Sequence, residues 1–181
     1  MKNILKLLFA SLFIVNFSCQ DSENVIDEVL DYETGAILRT ISIDNAVLNS
    51  SDATSAFLAT VEEQDEADGG LLSEIRVSAR FRDFSPENGT TEASAFVYSI
   101  PASETYEGPH GLPRADIAMQ FGDAANAMGL TSADYVPGDV VVVELEVVLT
   151  DGRSYGPDSA AGIITGGFFS SPFQYLSLIH I

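Results

Sequence analysis

From Ala36 onward, apolar and polar residues alternate in short runs separated by turn-forming stretches, the pattern of half-buried strands in a sandwich. Ile37 to Ile43 predicts a first strand. Phe57, Ala59 and Val61 alternate with Leu58, Thr60 and Glu62 in a second, and an acidic loop, Glu63 to Gly70, follows. In the third, Ile75, Val77, Ala79 and Phe81 point one way, and Arg76, Ser78, Arg80 and Arg82 the other. Phe96 to Ile100 makes a fourth strand, ended by Pro101, and Asp116 to Phe121 a short fifth. One brief helix is expected over Ala124 to Met128, with Asp123 as N-cap and Gly129 past its end. The strongest strand is Val140 to Thr150, with Val141, Val143, Leu145, Val147 and Leu149 on its core face. Asp151-Gly152 then turns the chain into Arg153-Ser154-Tyr155. Ile163-Ile164 and Phe168-Phe169 supply the last apolar strand material. The expected fold is all-β: an immunoglobulin-like or fibronectin-like β-sandwich of about seven strands with one short helix, over residues 36–175.

The first residues follow a different pattern. Lys2 and Lys6 flank and interrupt an apolar run that reaches Val15, too short for a membrane-spanning helix and built like an export signal. Ser18 precedes Cys19, and polarity changes at once to Gln20-Asp21-Ser22-Glu23-Asn24. This arrangement resembles a lipobox, although Asn16 and Phe17 occupy positions where an aliphatic and a small residue are usual. It implies a lipoprotein signal peptide over 1–18, lipid attachment at Cys19 and an acidic tether over 19–35. The alternative is a soluble-export cut before Cys19. The acidic residues after Cys19 resemble the surface-export signals of Bacteroidota lipoproteins, which implies an outer-membrane, cell-surface location; a plain polar tether is the other reading. Cys19 is the only cysteine, so no intramolecular disulfide is available and the core must stabilise the fold.

Charge narrows the partners. The formal net charge is −19, and loss of Lys2 and Lys6 with the signal deepens it by two, leaving six arginines as the only lysine or arginine cations. Such a surface repels phosphate backbones and anionic lipid headgroups, which argues against nucleic-acid binding and leaves Cys19 as the membrane contact.

Residues 176–181, Leu-Ser-Leu-Ile-His-Ile, resemble the translated transposon end used to fragment DNA for sequencing libraries. That resemblance sets them outside the fold and implies a protein interrupted near Tyr175. The alternative is a closing strand.

Chemistry-bearing patterns are sparse. His110 lies in Pro109-His110-Gly111, a poor setting for a triad base, and no phosphate loop, zinc spacing or HExxH pattern occurs. Acids are abundant, but no pair is singled out for glycoside hydrolysis. The expectation is a non-enzymatic protein. Asp65, Glu66 and Asp68, beside Gly69-Gly70, offer oxygen ligands to calcium, against a solvated hairpin loop as the plainer reading. Arg76, Arg80 and Arg82 offer forked donors to a carboxylate or acidic polysaccharide, against cross-strand pairing with Glu144 and Glu146, which is the favoured reading in so acidic a chain. Tyr98, Tyr106, Tyr135 and Tyr155 are candidate stacking platforms, though there is no tryptophan. Asp158-Ser159-Ala160 fits a loose O-glycosylation tripeptide, with Ser159 as acceptor.

Several motifs together carry a further resemblance: Leu112-Pro113-Arg114-Ala115, Met128-Gly129-Leu130, Pro137-Gly138-Asp139, Leu149 to Arg153, and Gly166 to Phe173. The chain resembles uncharacterised Bacteroidota surface lipoproteins that accompany starch-utilisation-type uptake systems. The resemblance implies a spacer or interaction module beside a TonB-dependent transporter and its lipoprotein lid, and it brings no catalytic residues. The alternatives are a glycan- or calcium-dependent ligand-binding module, or an N-terminal accessory domain of a truncated exported hydrolase.

Overall fold

The computed structural model describes residues 35–85, 92–159 and 173–180. They form ten strands, one α-helix and a single 3-10 turn at Ala102–Glu104. The strands are β1 (Ile37–Asn45), β2 (Val47–Asn49), β3 (Ala56–Gln64), β4 (Leu72–Arg82), β5 (Glu92–Pro101), β6 (Tyr106–Glu107), β7 (Pro113–Gln120), β8 (Val140–Leu149), β9 (Ser154–Tyr155) and β10 (Gln174–His180). The helix, α1, is Phe121–Met128. One sheet has the order β1-β3-β7-β6, the other β2-β10-β8-β4-β5 with β9 paired to β8. Pairing is antiparallel except where β2 runs parallel to β10. The fold is an all-β sandwich, as the strand spacing predicts, with ten strands rather than about seven.

The alternation read from the sequence builds the core. Phe57, Ala59 and Val61 of β3, and Ala115, Ile117 and Met119 of β7, face Val77, Ala79, Phe81, Val143, Leu145 and Val147 of the opposite sheet in one buried cluster. Burying each large apolar side chain contributes about 1.5–3 kcal/mol, so this layer carries most of the stabilisation. Two tyrosines tie the sheets together. Tyr175 of β10 stacks at a tilt on Phe57, centroids 5.1 Å apart, and its hydroxyl lies 3.1 Å from Thr40 Oγ1. The Tyr98 hydroxyl of β5 accepts the Ala118 N–H of β7 at 3.0 Å.

Three local expectations differ from the structure. The helix starts at Phe121, not near Asp123, and its N-cap is Gln120 with no side-chain cap bond. Backbone supplies the cap instead: the Phe121 N–H donates to the Ser55 carbonyl at 2.8 Å and the Gly122 N–H to Ala53 at 2.9 Å. Gly129 does end the helix in the left-handed region, φ 71°, and the Leu130 N–H bonds back to Ala125. The short strands β2 and β6 carry too little alternation to be seen in sequence.

The third difference is β10. Of the residues set outside the fold by their resemblance, Leu176–His180 form the rest of a strand seated between β8 and β2, the closing-strand alternative, and Ile181 lies outside the described residues. Phe173, Tyr175, Ser177 and Ile179 point inward, whereas Leu176 and Leu178 are exposed. The Ile163-Ile164 and Phe168-Phe169 strand material lies outside the described residues.

Candidate functional site

The outward face of β4 carries the arginine ridge. Arg76 stands opposite Glu146 of β8 in register, and Arg80 opposite Val142. Arg76 donates to Glu74 at 2.7 Å and to Glu146 at 3.4 Å. Arg80 reaches diagonally to Glu144 with two bonds to one oxygen, 2.8 and 2.6 Å, an oxygen that also accepts from Gln174 at 3.0 Å. The favoured cross-strand pairing is thus what the structure shows for Arg76 and Arg80. Arg82 stands apart: it is exposed and has no ion pair among the described residues.

A second charged array crosses the outer face of the other sheet. Glu62 of β3 lies beside Arg39 of β1 and Arg114 of β7 in register, and both guanidinium groups bond its carboxylate, Arg114 at 2.7 Å. Glu62 is only 1% exposed, because the two arginines and Gly108 cover it. Burial pushes its carboxyl up, but the hydrogen bonds from Arg114 and Arg39 outweigh that and hold it below its ordinary value. Beside it, Asp116 accepts from Thr60 at 2.8 Å and from the exposed Tyr106 hydroxyl at 3.0 Å. These pairs join neighbouring strands, which is a structural use of charge.

The acidic loop does not gather into a cation site. Asp65 gives both carboxylate oxygens to the loop backbone, Oδ1 accepting from Ala67 and Gly69 at 2.7 and 2.9 Å and Oδ2 from Leu71 at 2.8 Å. Glu66 turns outward to Arg153 at 3.0 Å, and Asp68 holds a left-handed backbone at φ 53°. Among the described residues no group of three or more His, Cys, Asp or Glu side chains is placed to hold a metal ion. The loop is instead organised from within by Asp65, an Asx-type arrangement.

Next to it stands a residue that the sequence reading passed over. Glu63 continues the inward phase of Phe57, Ala59 and Val61, is fully buried, and neither carboxylate oxygen has a hydrogen-bond partner. Burial, with the neighbouring charge of Asp65, pushes its carboxyl up to about 8. The signal was available in the alternation itself, because extending the strand by one residue puts Glu63 in the core.

Asp139 was also missed as a polar anchor. Fully buried at the start of β8, it accepts the Phe84 N–H and the Ser85 hydroxyl at 2.9 Å each on Oδ1, and the Val136 N–H at 2.8 Å on Oδ2. It therefore fixes the chain leaving β4.

The remaining candidates are dispersed. Tyr98 and Tyr155 are partly buried against the core, and Tyr135 packs edge-on against Phe121 at 4.9 Å, so Tyr106 alone of the four tyrosines is exposed. Ser159 is exposed in a turn, its hydroxyl accepting from the Gly156 N–H at 2.6 Å and donating to the Gly156 carbonyl at 3.1 Å. His110 sits in an exposed turn and His180 on the exposed face of β10, on different sheets' flanks. Cys19 lies outside the described residues, and no helix among the described residues is long and apolar enough to cross a membrane. No protein-family model matches the chain, and no curated protein matches its sequence.

Proposed function

We propose that the protein is a non-enzymatic, lipid-anchored surface module of the bacterial outer membrane, its sandwich serving as spacer and interaction domain beside a nutrient importer. The observation that carries the reading is the order of features before the first strand. A short cationic and apolar segment ends at Cys19, and an acidic polar stretch separates that residue from β1 at Ile37. Lipid on Cys19 anchors such a chain, since each buried methylene contributes about 0.8 kcal/mol and more than one acyl chain makes the attachment stable. The sandwich suits the role: four of its six arginines pair with glutamates on neighbouring strands, and most of its acids are left to the solvated surface. The partners of this reading are a TonB-dependent transporter and its lipoprotein lid.

Two experiments test it. Expression with an alkyne-bearing fatty acid should label the wild-type chain and not Cys19→Ala; an unlabelled wild type removes the anchor. Affinity purification through a tag on the anchored protein should retain a TonB-dependent transporter from the outer membrane; its absence under mild detergent removes the importer role while leaving the anchor intact.

A further inference from the structure

Five of the six arginines are held by carboxylates: Arg39 and Arg114 by Glu62, Arg76 by Glu74 and Glu146, Arg80 by Glu144, and Arg153 by Glu66 and Asp151. Arg82 is the exception, with no ion pair among the described residues, in a chain whose acidic residues outnumber lysine plus arginine 27 to 8. Glu92 of β5 lies directly opposite it in register, yet the two make no ion pair. An unpaired guanidinium on so acidic a surface is a forked donor set left available to a ligand.

Arg82 also has a setting. It lines an open cleft of about 620 Å³, together with Phe84, Ser94 and the two acids Asp83 and Glu92. Phe84 is 62% exposed, unusual for a phenylalanine, while its backbone is pinned by the buried carboxylate of Asp139 at 2.9 Å. The ring is therefore presented to solvent from a fixed point. Arg80, on the same wall, is oriented by its two bonds to Glu144. An exposed ring on an anchored backbone position and an available fork thus line the same cleft.

We infer that this cleft binds a small organic anion carrying a carboxylate beside a flat apolar face, the carboxylate on Arg82 and the face against Phe84. Two kinds of molecule have that chemistry, an aromatic carboxylate and a sugar-ring carboxylate. The site is independent of lipid on Cys19, so either reading can fail without the other.

Saturation-transfer NMR on the full chain in detergent, with benzoate and glucuronate as probes and benzamide and glucose as their neutral counterparts, tests it. The expected result is saturable transfer to at least one carboxylate probe and weaker or no transfer to its counterpart. Arg82→Gln should weaken the affinity roughly tenfold, Phe84→Ala should weaken it measurably, and Arg76→Gln, at the paired end of the ridge, should leave it unchanged. Which carboxylate binds identifies the source. No saturable transfer from either carboxylate, equal binding of the neutral counterparts, or affinity unchanged in Arg82→Gln or Phe84→Ala would overturn the inference.

Discussion

Two adjacent glutamates show how much a one-residue change of face matters. Glu62 points outward between two arginines, which hold it ionised, and Glu63 points inward with no partner, where burial keeps it protonated to about pH 8. The consequences have opposite sign. A carboxyl held below its ordinary value contributes stability that is lost as the medium becomes acid. For Glu63 the folded state retains a proton that the unfolded chain gives up above 4.5, so stability falls as pH rises from there to about 8 and then levels. Together the pair favours maximum stability in mildly acid solution. We expect Glu63→Met to flatten the alkaline limb and to raise stability at pH 8 by on the order of a few kcal/mol. Chemical denaturation from pH 4 to 9 checks this, and an unchanged slope would mean that Glu63 finds a partner in solution. A second residue-scale expectation concerns Gly69, whose φ of 86° suits glycine and where an added Cβ would come within 2.2 Å of Pro113 Cδ. Gly69→Ala should cost at least about 2 kcal/mol, read as a lowered denaturation midpoint.

At the scale of elements, the long strands were legible because alternation over eight or more residues leaves one arrangement, as in β4 and β8. The helix was legible in its end and not in its beginning. Gly129 advertises a C-terminus, whereas the start depends on carbonyls of Ala53 and Ser55, far away in sequence. Asp123→Ala should therefore cost well under 1 kcal/mol, unlike the loss of a true N-cap. The site was less legible still. Arg76 and Arg80 could be matched to Glu146 and Glu144 by strand phase alone, but the isolation of Arg82 and the anchoring by Asp139 exist only in three dimensions. Asp139→Ala should leave the Phe84 and Val136 amides unbonded, cost about 1–3 kcal/mol, and speed hydrogen exchange at both. In β10 burial keeps strict alternation while the residue types do not follow it: Phe173, Tyr175, Ser177 and Ile179 are buried, and the apolar Leu176 and Leu178 are exposed. The expectation is that Leu176→Thr and Leu178→Thr are nearly neutral and Ile179→Ala costs 2–5 kcal/mol in the same denaturation assay.

For the whole molecule, address and architecture come from different parts of the chain. The sandwich is encoded by strand phase after Ala36, and its formal net charge of −19 is of the sign that repels phosphate backbones. The proposed location rests on a single thiol, Cys19. The most direct measurement is therefore the mass and fractionation of the protein expressed in a bacterial host with lipoprotein processing, wild type beside Cys19→Ala. The account predicts a wild-type chain that begins at Cys19, carries acyl mass and partitions into the detergent phase with the outer membrane, while Cys19→Ala does neither. A wild-type chain without acyl mass, or a Cys19→Ala chain that still partitions with the membrane, would contradict it.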